Sequence, residues 1–163
     1  MVLLAATTTD MVEYSYMTWN YIAGFFDGEG SITNNGKGFR ITICQTNEDV
    51  LKDIKCFVGF GYVIKVKKRK KHWKDSWVYY IAKQREVYSF LTQVSKFIIV
   101  KRELVESRLP LLEHIIERQQ KQQIRLNKRI RTIKKLRNKG LTYRAIGTKV
   151  GIDWGYARRL FLR

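Results

Sequence analysis

The chain has 163 residues, 45% hydrophobic and 28% charged, with a formal net charge of +18 from 32 basic and 14 acidic residues. That length suits one compact domain with an appendage and is enough to bury a proper core. Two cysteines exclude a disulfide framework, isolated His72 and His114 argue against a zinc site, and no apolar run reaches transmembrane length.

The distribution of charge says more than its total. From Arg118 to Arg163, 15 basic residues accompany the single acid Asp153, while residues 1 to 117 hold the other 17 basic and 13 acidic residues. Such asymmetry is the footprint of a protein that meets a polyanion, and nucleic acid is expected rather than a membrane because the tail reads as folded. The opening MVLLAATTTD lacks a basic n-region and a full apolar h-region, so residues 1 to 14 are read as an extension without a role. An intracellular protein is expected, in cytoplasm, nucleoid or organelle, and not a secreted one.

Trp19 to Ser31 (WNYIAGFFDGEGS) starts as an apolar helix and ends with Asp27 and Glu29 among glycines. Gly24 and Gly28 stand four apart on one face, and with Ala23 they leave room for another backbone to approach. The acids fall where the helix should end, beside the negative pole of its macrodipole, where cations are favoured. An acid pair placed against that rule, with no evident structural gain, marks a functional site.

Ile22 to Gly30 (IAGFFDGEG), followed by Ser31 and Ile32, resembles the nine-residue motif of the LAGLIDADG homing endonucleases. The motif occurs once, and in that family a single copy implies a homodimer. The resemblance puts the motif helices in the subunit interface, here Ala23, Gly24, Phe25, Asp27 and Gly28. It makes the final acid, Glu29, a ligand of the catalytic metal, with the backbone oxygen of Gly28 beside it. Asp27 is expected to cap or brace the interface rather than to ligate.

After the motif come a short strand, Ser31 to Asn34, and a turn at Asn35 to Gly38. Phe39 to Gln45 (FRITICQ) alternates, with Phe39, Ile41 and Ile43 on one face and Arg40, Thr42 and Cys44 on the other. Thr46 or Asn47 caps a helix with Glu48 and Asp49 in its first turn and an apolar stripe of Val50, Leu51, Ile54 and Phe57. Gly59 to Gly61 ends it. Tyr62 to Lys68 and Trp77 to Ala82 form the next strand pair, joined by the basic tip KKRKKHWKD. Arg85 to Phe97 reads as a helix with Val87, Phe90, Leu91 and Val94 inward. Cys44 and Cys56, in a strand and a helix pattern, are expected as small buried hydrophobes.

The order αββαββα is similar to that of the LAGLIDADG domain, an α+β fold whose four-stranded antiparallel sheet forms a saddle on DNA. A two-stranded ribbon fits the major groove, so Arg40 and Thr42, opposite in parity to Phe39 and Ile41, are the expected base readers. Lys65 and Lys67 face DNA if Ile64 and Val66 are core. Lys68, Arg69, Lys70 and Lys71, interleaved with Trp73, suit phosphate contact. Gln45 matches the family position that orders water near the metals. Lys101, at the end of FLTQVSKFIIVK, matches the basic residue that reaches the active site.

Arg102 to Ile116 reads as an amphipathic helix that Pro110 kinks or interrupts. Polar Glu117 to Gln123 reads as a linker, and Ile124, Ile130, Ile133 and Leu136 stripe a basic helix that ends at Gly140. The remainder has helix-turn-helix arithmetic. Thr142 caps a helix bearing Ala145, Ile146 and Val150, Gly151 turns, and Asp153 caps a second helix with Ala157, Leu160 and Phe161 inward. This looks like the helix-turn-helix of site-specific recombinases and many bacterial regulators, which implies Trp154, Tyr156, Arg158 and Arg159 near DNA. Three segments result: an extension at 1–14, the endonuclease-like domain at 15–117, and a basic helical linker with a small all-α module at 118–163.

Together the resemblance implies a homodimeric enzyme of intron homing that makes a double-strand break at a long, near-palindromic DNA site by phosphodiester hydrolysis. Its catalytic residues would be Glu29, Gln45 and Lys101. Oxygen ligands without a His/Cys cluster suit hard Mg²⁺, roughly two or three ions per dimeric site, with Mn²⁺ as a substitute. The rival reading is a non-cleaving DNA-binding regulator, or a maturase for intron RNA, on the same fold. A plain helix-turn-helix repressor leaves IAGFFDGEG unexplained.

Overall fold

Thr18 opens the first helix by accepting the Tyr21 N–H on its hydroxyl at 3.2 Å, and α1 then runs Trp19–Glu29. The computed structural model describes residues 17–68 and 70–163; the expected extension at 1–14 and Arg69 in the basic tip lie outside the described residues. α1 feeds directly into β1 (Gly30–Asn34), followed by β2 (Phe39–Gln45), α2 (Glu48–Val58), β3 (Tyr62–Lys65), β4 (Trp77–Ile81) and α3 (Gln84–Val94). The order is the expected αββαββα. All neighbouring strands are antiparallel, in the order β1-β2-β4-β3.

Period-two alternation decides the layers. Phe39, Ile41 and Ile43 of β2 and Tyr79 and Ile81 of β4 are buried in one core with Ile22, Ala23 and Phe26 of α1, Leu51 and Ile54 of α2, and Val87, Phe90, Leu91 and Val94 of α3. The register puts Ser31, Thr33, Arg40, Thr42, Cys44, Tyr62, Ile64, Val78 and Tyr80 on the opposite face, and none of them is buried. Cys44 is therefore exposed, not a core residue as expected, because it shares the parity of Arg40 and Thr42. Cys56 is exposed as well, since α2 turns Leu51 and Ile54 inward instead.

Gln84, which follows β4 at the start of α3, completes the sheet with its side chain. Its Oε1 accepts the Phe39 N–H at 2.8 Å, while Nε2 donates to the carbonyls of Phe39 (2.9 Å) and Ala82 (2.8 Å). The amide acts as an extra strand residue beside β2. Gly38 passes so close that a Cβ there would lie 2.3 Å from Gln84 Oε1.

α4 runs Arg102–Asn138 without interruption, although Pro110 lies inside it. Pro110 removes one backbone donor, yet Val105 and Leu112 on either side of it are fully buried against the core, and their burial holds the helix together. The polar 117–123 stretch is helical too, part of α4. The chain divides into two compact units, one ending at Ile115 and the other Ile116–Arg163.

The second unit has its own core of Ile133, Ile146, Ala157 and Leu160. Its short helices are α5 (Tyr143–Val150) and α6 (Trp154–Phe161). Thr142 caps α5 by accepting the Ala145 N–H, Gly151 turns the chain at φ +69°, and Asp153 caps α6 by accepting from Gly155 and Tyr156 at 2.8 and 3.1 Å. Ala145, expected inward, is exposed; Gly147 takes the inner place because a Cβ there would lie 2.7 Å from the Ile152 carbonyl. Among the described residues no helix is long and apolar enough to cross a membrane.

Candidate active site and nucleic-acid interface

A helix ends with unpaired carbonyls, and a cation is their natural partner. At the end of α1 that cation is Lys101, whose Nζ donates to the Phe26 carbonyl at 3.0 Å and to the Asp27 carbonyl. The bond is returned. The Asp27 carboxylate accepts the backbone N–H groups of Ile99 (2.7 Å), Val100 (3.1 Å) and Lys101 (2.9 Å), just ahead of α4. Burial by itself would raise the Asp27 pKa, but these three amides and the Lys101 charge hold it below the ordinary 3.8. Asp27 thus has a structural gain that the sequence did not reveal. Its carboxylate closes a reciprocal clasp between two helix ends.

Glu29 is what remains. Its carboxylate is exposed and has no hydrogen bond or ion pair among the described residues. Gly30 pairs with Ile43, so the last residues of β2, Gln45 included, lie at the same end of the sheet as Glu29. Gln45 Oε1 accepts from the backbone N–H and hydroxyl of Thr46 at 2.8 and 3.2 Å, which leaves its NH₂ without a partner among the described residues. No three His, Cys, Asp or Glu side chains gather into a metal-binding group among the described residues. One chain therefore offers a hard cation the Glu29 carboxylate and the Gly28 carbonyl, oxygen donors of the right kind but only part of a coordination set.

The outer face of α1 is bare. A Cβ added at Gly24 or Gly28 would meet nothing within 4 Å. Tyr21, 45% exposed, stacks on half-buried Phe25 with ring centroids 5.8 Å apart. Two of the residues expected on an interface are engaged within their own chain: Ala23 is fully buried in the core, and Asp27 belongs to the clasp. Sequence reading missed Ile99 and Val100, which are 77% and 81% exposed beside the end of α1. They belong to no periodic element, so no pattern marks them.

Arg40 and Thr42 stand on the open face of the sheet. The Arg40 guanidinium lies 5.0 Å from the centre of the Tyr80 ring, and the Thr42 and Ser31 hydroxyls are hydrogen-bonded at 2.7 Å. Lys65 does not share that face. Ile64, 54% exposed, pairs with Val78 on the open side, so neighbouring Lys65 pairs with Trp77 on the helix side. The condition on which Lys65 and Lys67 were placed toward DNA therefore fails at Ile64, and at Val66, which is 40% exposed. Lys65 instead bonds Asp75 at 3.2 Å and lies 5.4 Å from the Trp77 ring. Lys68 reaches Asp75 at the same distance, and hydrogen bonds from the two lysines hold that carboxyl below the usual aspartate range. Lys67, Lys70 and Lys71 are exposed and make no ion pair among the described residues.

In the second unit Trp154 is 54% exposed, Arg158 and Arg159 are exposed, and Arg159 lies 5.7 Å from the ring of half-buried Tyr156. The one acid in residues 118–163, Asp153, is engaged in capping α6. Of the 15 cations there, only Lys121 makes an ion pair among the described residues, with Glu117 at 3.4 Å.

Residues 18–95 match the family described as the LAGLIDADG-like domain, and this segment of the chain is a LAGLIDADG-like domain. Among solved structures the chain is similar to the homing endonuclease I-CvuI in complex with its DNA target in the presence of calcium, with TM-score 0.49 and 16% identity over 87% of this chain and 90% of that one. Against I-CvuI on another target with magnesium, where the DNA is uncleaved, the TM-score is 0.47 and identity 18%; the match spans 60% of this chain and just under two thirds, 66%, of the other. An archaeal intron-encoded homing endonuclease complexed with DNA gives TM-score 0.48 and 18% identity over 87% of this chain and 92% of that one. No curated protein sequence matches the chain.

Proposed function

We propose that the protein is a homodimeric, site-specific DNA endonuclease of the homing type, which makes a double-strand break with the help of divalent metal. The observation that carries this reading is the state of Glu29. Its neighbour Asp27 and the cation Lys101 are engaged with helix ends, whereas Glu29 stands exposed at the negative pole of α1, an unfavourable place for an acid unless a cation joins it. A second copy docked on the Gly24 and Gly28 face brings its own Glu29 to the same place.

Glu29 and the Gly28 carbonyl of each copy hold Mg²⁺, roughly two or three ions per dimer, with Mn²⁺ as a substitute. When bound, such ions activate water and stabilise charge on the phosphate and the leaving oxygen. The chain's own groups do the rest. Lys101, fastened at the end of α1, puts a fixed positive charge where negative charge grows on the phosphate. The Gln45 NH₂ orients the attacking water. Arg40 and Thr42 meet base edges, while Lys67, Lys68, Lys70 and Lys71 meet phosphates. Residues 118–163 act as an auxiliary DNA-binding module, with Trp154, Tyr156, Arg158 and Arg159 on the duplex.

The test is cleavage of a large random duplex library by purified protein with Mg²⁺, followed by sequencing of the new ends, with Glu29→Gln and EDTA alongside. Recurrent, near-symmetric cut sites that vanish in both controls are expected. Salt-sensitive enrichment of a bound sequence without cutting in Mg²⁺ or Mn²⁺ moves the reading to a regulator, or to a maturase if intron RNA is bound more tightly. Cleavage retained by Glu29→Gln removes Glu29 from the mechanism.

A further inference from the structure

We propose that Tyr80 is a positioning residue that holds Arg40 flat on the open sheet face as the reader of a single guanine in each half of the DNA site. The proposal rests on the DNA-binding reading above and adds a chemical specificity to it. The register makes Ser31, Thr42, Tyr80 and Tyr62 one row across all four strands, a row of hydroxyls. Arg40 stands next to that row on β2, diagonal to Tyr80, within reach for a long side chain. Among the strand residues of the open face it is the sole cation, since Lys65 has the opposite parity.

Three features separate Arg40 from an ordinary surface arginine. It makes no ion pair among the described residues, although arginine is the residue best suited to a carboxylate fork. Its guanidinium lies 5.0 Å from the Tyr80 ring centre, within the range where stacking and cation–π attraction hold the plane in place. Its Nε is buried with no hydrogen-bond partner, an unfavourable state for a donor that is tolerated where binding needs it. With Nε withdrawn, the fork left for a ligand is the pair of terminal amino groups. Two parallel N–H donors held in a fixed plane on a surface that enters the major groove match the O6 and N7 acceptors of guanine. β2 is an inner strand of the sheet, whereas phosphate contact falls to the lysines of the exposed tip.

The experiment selects bound sequences from a random duplex pool and compares base preferences position by position. Wild type, Arg40→Ala, Arg40→Lys, Tyr80→Phe and Tyr80→Leu are tested as full chains. Wild type is expected to require G·C at one position in each half-site, by roughly 5- to 150-fold over other pairs. Arg40→Ala and Arg40→Lys lose that preference and keep the others. Tyr80→Phe, which retains the ring face, keeps it, while Tyr80→Leu relaxes the same position although Arg40 is present. Preserved preferences elsewhere in the site show that each variant is folded. Arg40→Ala weakening all sequences equally makes Arg40 a phosphate anchor and overturns the proposal; so does Tyr80→Leu leaving the guanine intact. A wild-type protein that enriches no duplex overturns the DNA-binding reading beneath it, and the proposal with it.

Discussion

Replacing Asp27 with alanine removes the acceptor of three backbone N–H groups at 2.7, 3.1 and 2.9 Å. Hydrogen bonds to a charged group contribute about 1.5–3 kcal/mol. Ile99 and Val100 are exposed, so water replaces Asp27 at their amides, whereas half-buried Lys101 regains less. The expected loss is about 2 kcal/mol, which in a domain of about 100 residues lowers Tm by roughly 8–16 °C. The effect depends on pH with a definite sign. The Asp27 pKa is depressed below 3.8 in the folded state, so its stabilisation is complete above that value and disappears as pH falls through the folded pKa. The assay is thermal unfolding of wild type and Asp27→Ala at one protein concentration, at neutral pH and near pH 3. A neutral-pH difference under about 2 °C, or one that persists undiminished in acid, refutes the clasp as a source of stability.

Gly24→Leu separates folding from assembly. The added side chain meets nothing within 4 Å in the chain itself, and Gly is about 0.8–1 kcal/mol less favourable than Ala in a helix, so monomer stability is expected to hold or rise. Sedimentation is expected to show loss of the dimer; an unaltered dimer rules this face out as the interface. In the second unit, the double variant Arg158→Ala with Arg159→Ala is expected to reduce the slope of log affinity against log salt by about 2, one counterion for each lost phosphate contact. An unchanged slope removes α6 from the phosphate interface.

The sequence by itself determined what repeats with a period or sits in a local signal. The alternation in FRITICQ, the caps Thr18, Asn47, Thr142 and Asp153, the glycine turns and the order αββαββα all depend on neighbours within a few residues. The motif around Glu29 was legible for the same reason, because its small residues and acids are contiguous. Only the tertiary structure decided what depends on partners far along the chain. Asp27 reads as a misplaced acid until residues 72–74 positions away bring their amides to it, and Lys101 as a helix-start lysine until it meets α1. The face taken by Lys65 was undecidable from YVIKVKK, where apolar and basic residues alternate and either set can be buried. Pairing with β4 settles it, because a strand neighbour fixes register and a one-residue slip inverts every side chain. Gln84 escaped notice because nothing local distinguishes an amide that replaces strand backbone from one in water. Pro110 reads as a breaker locally, and burial of Val105 and Leu112 on either side overrides it.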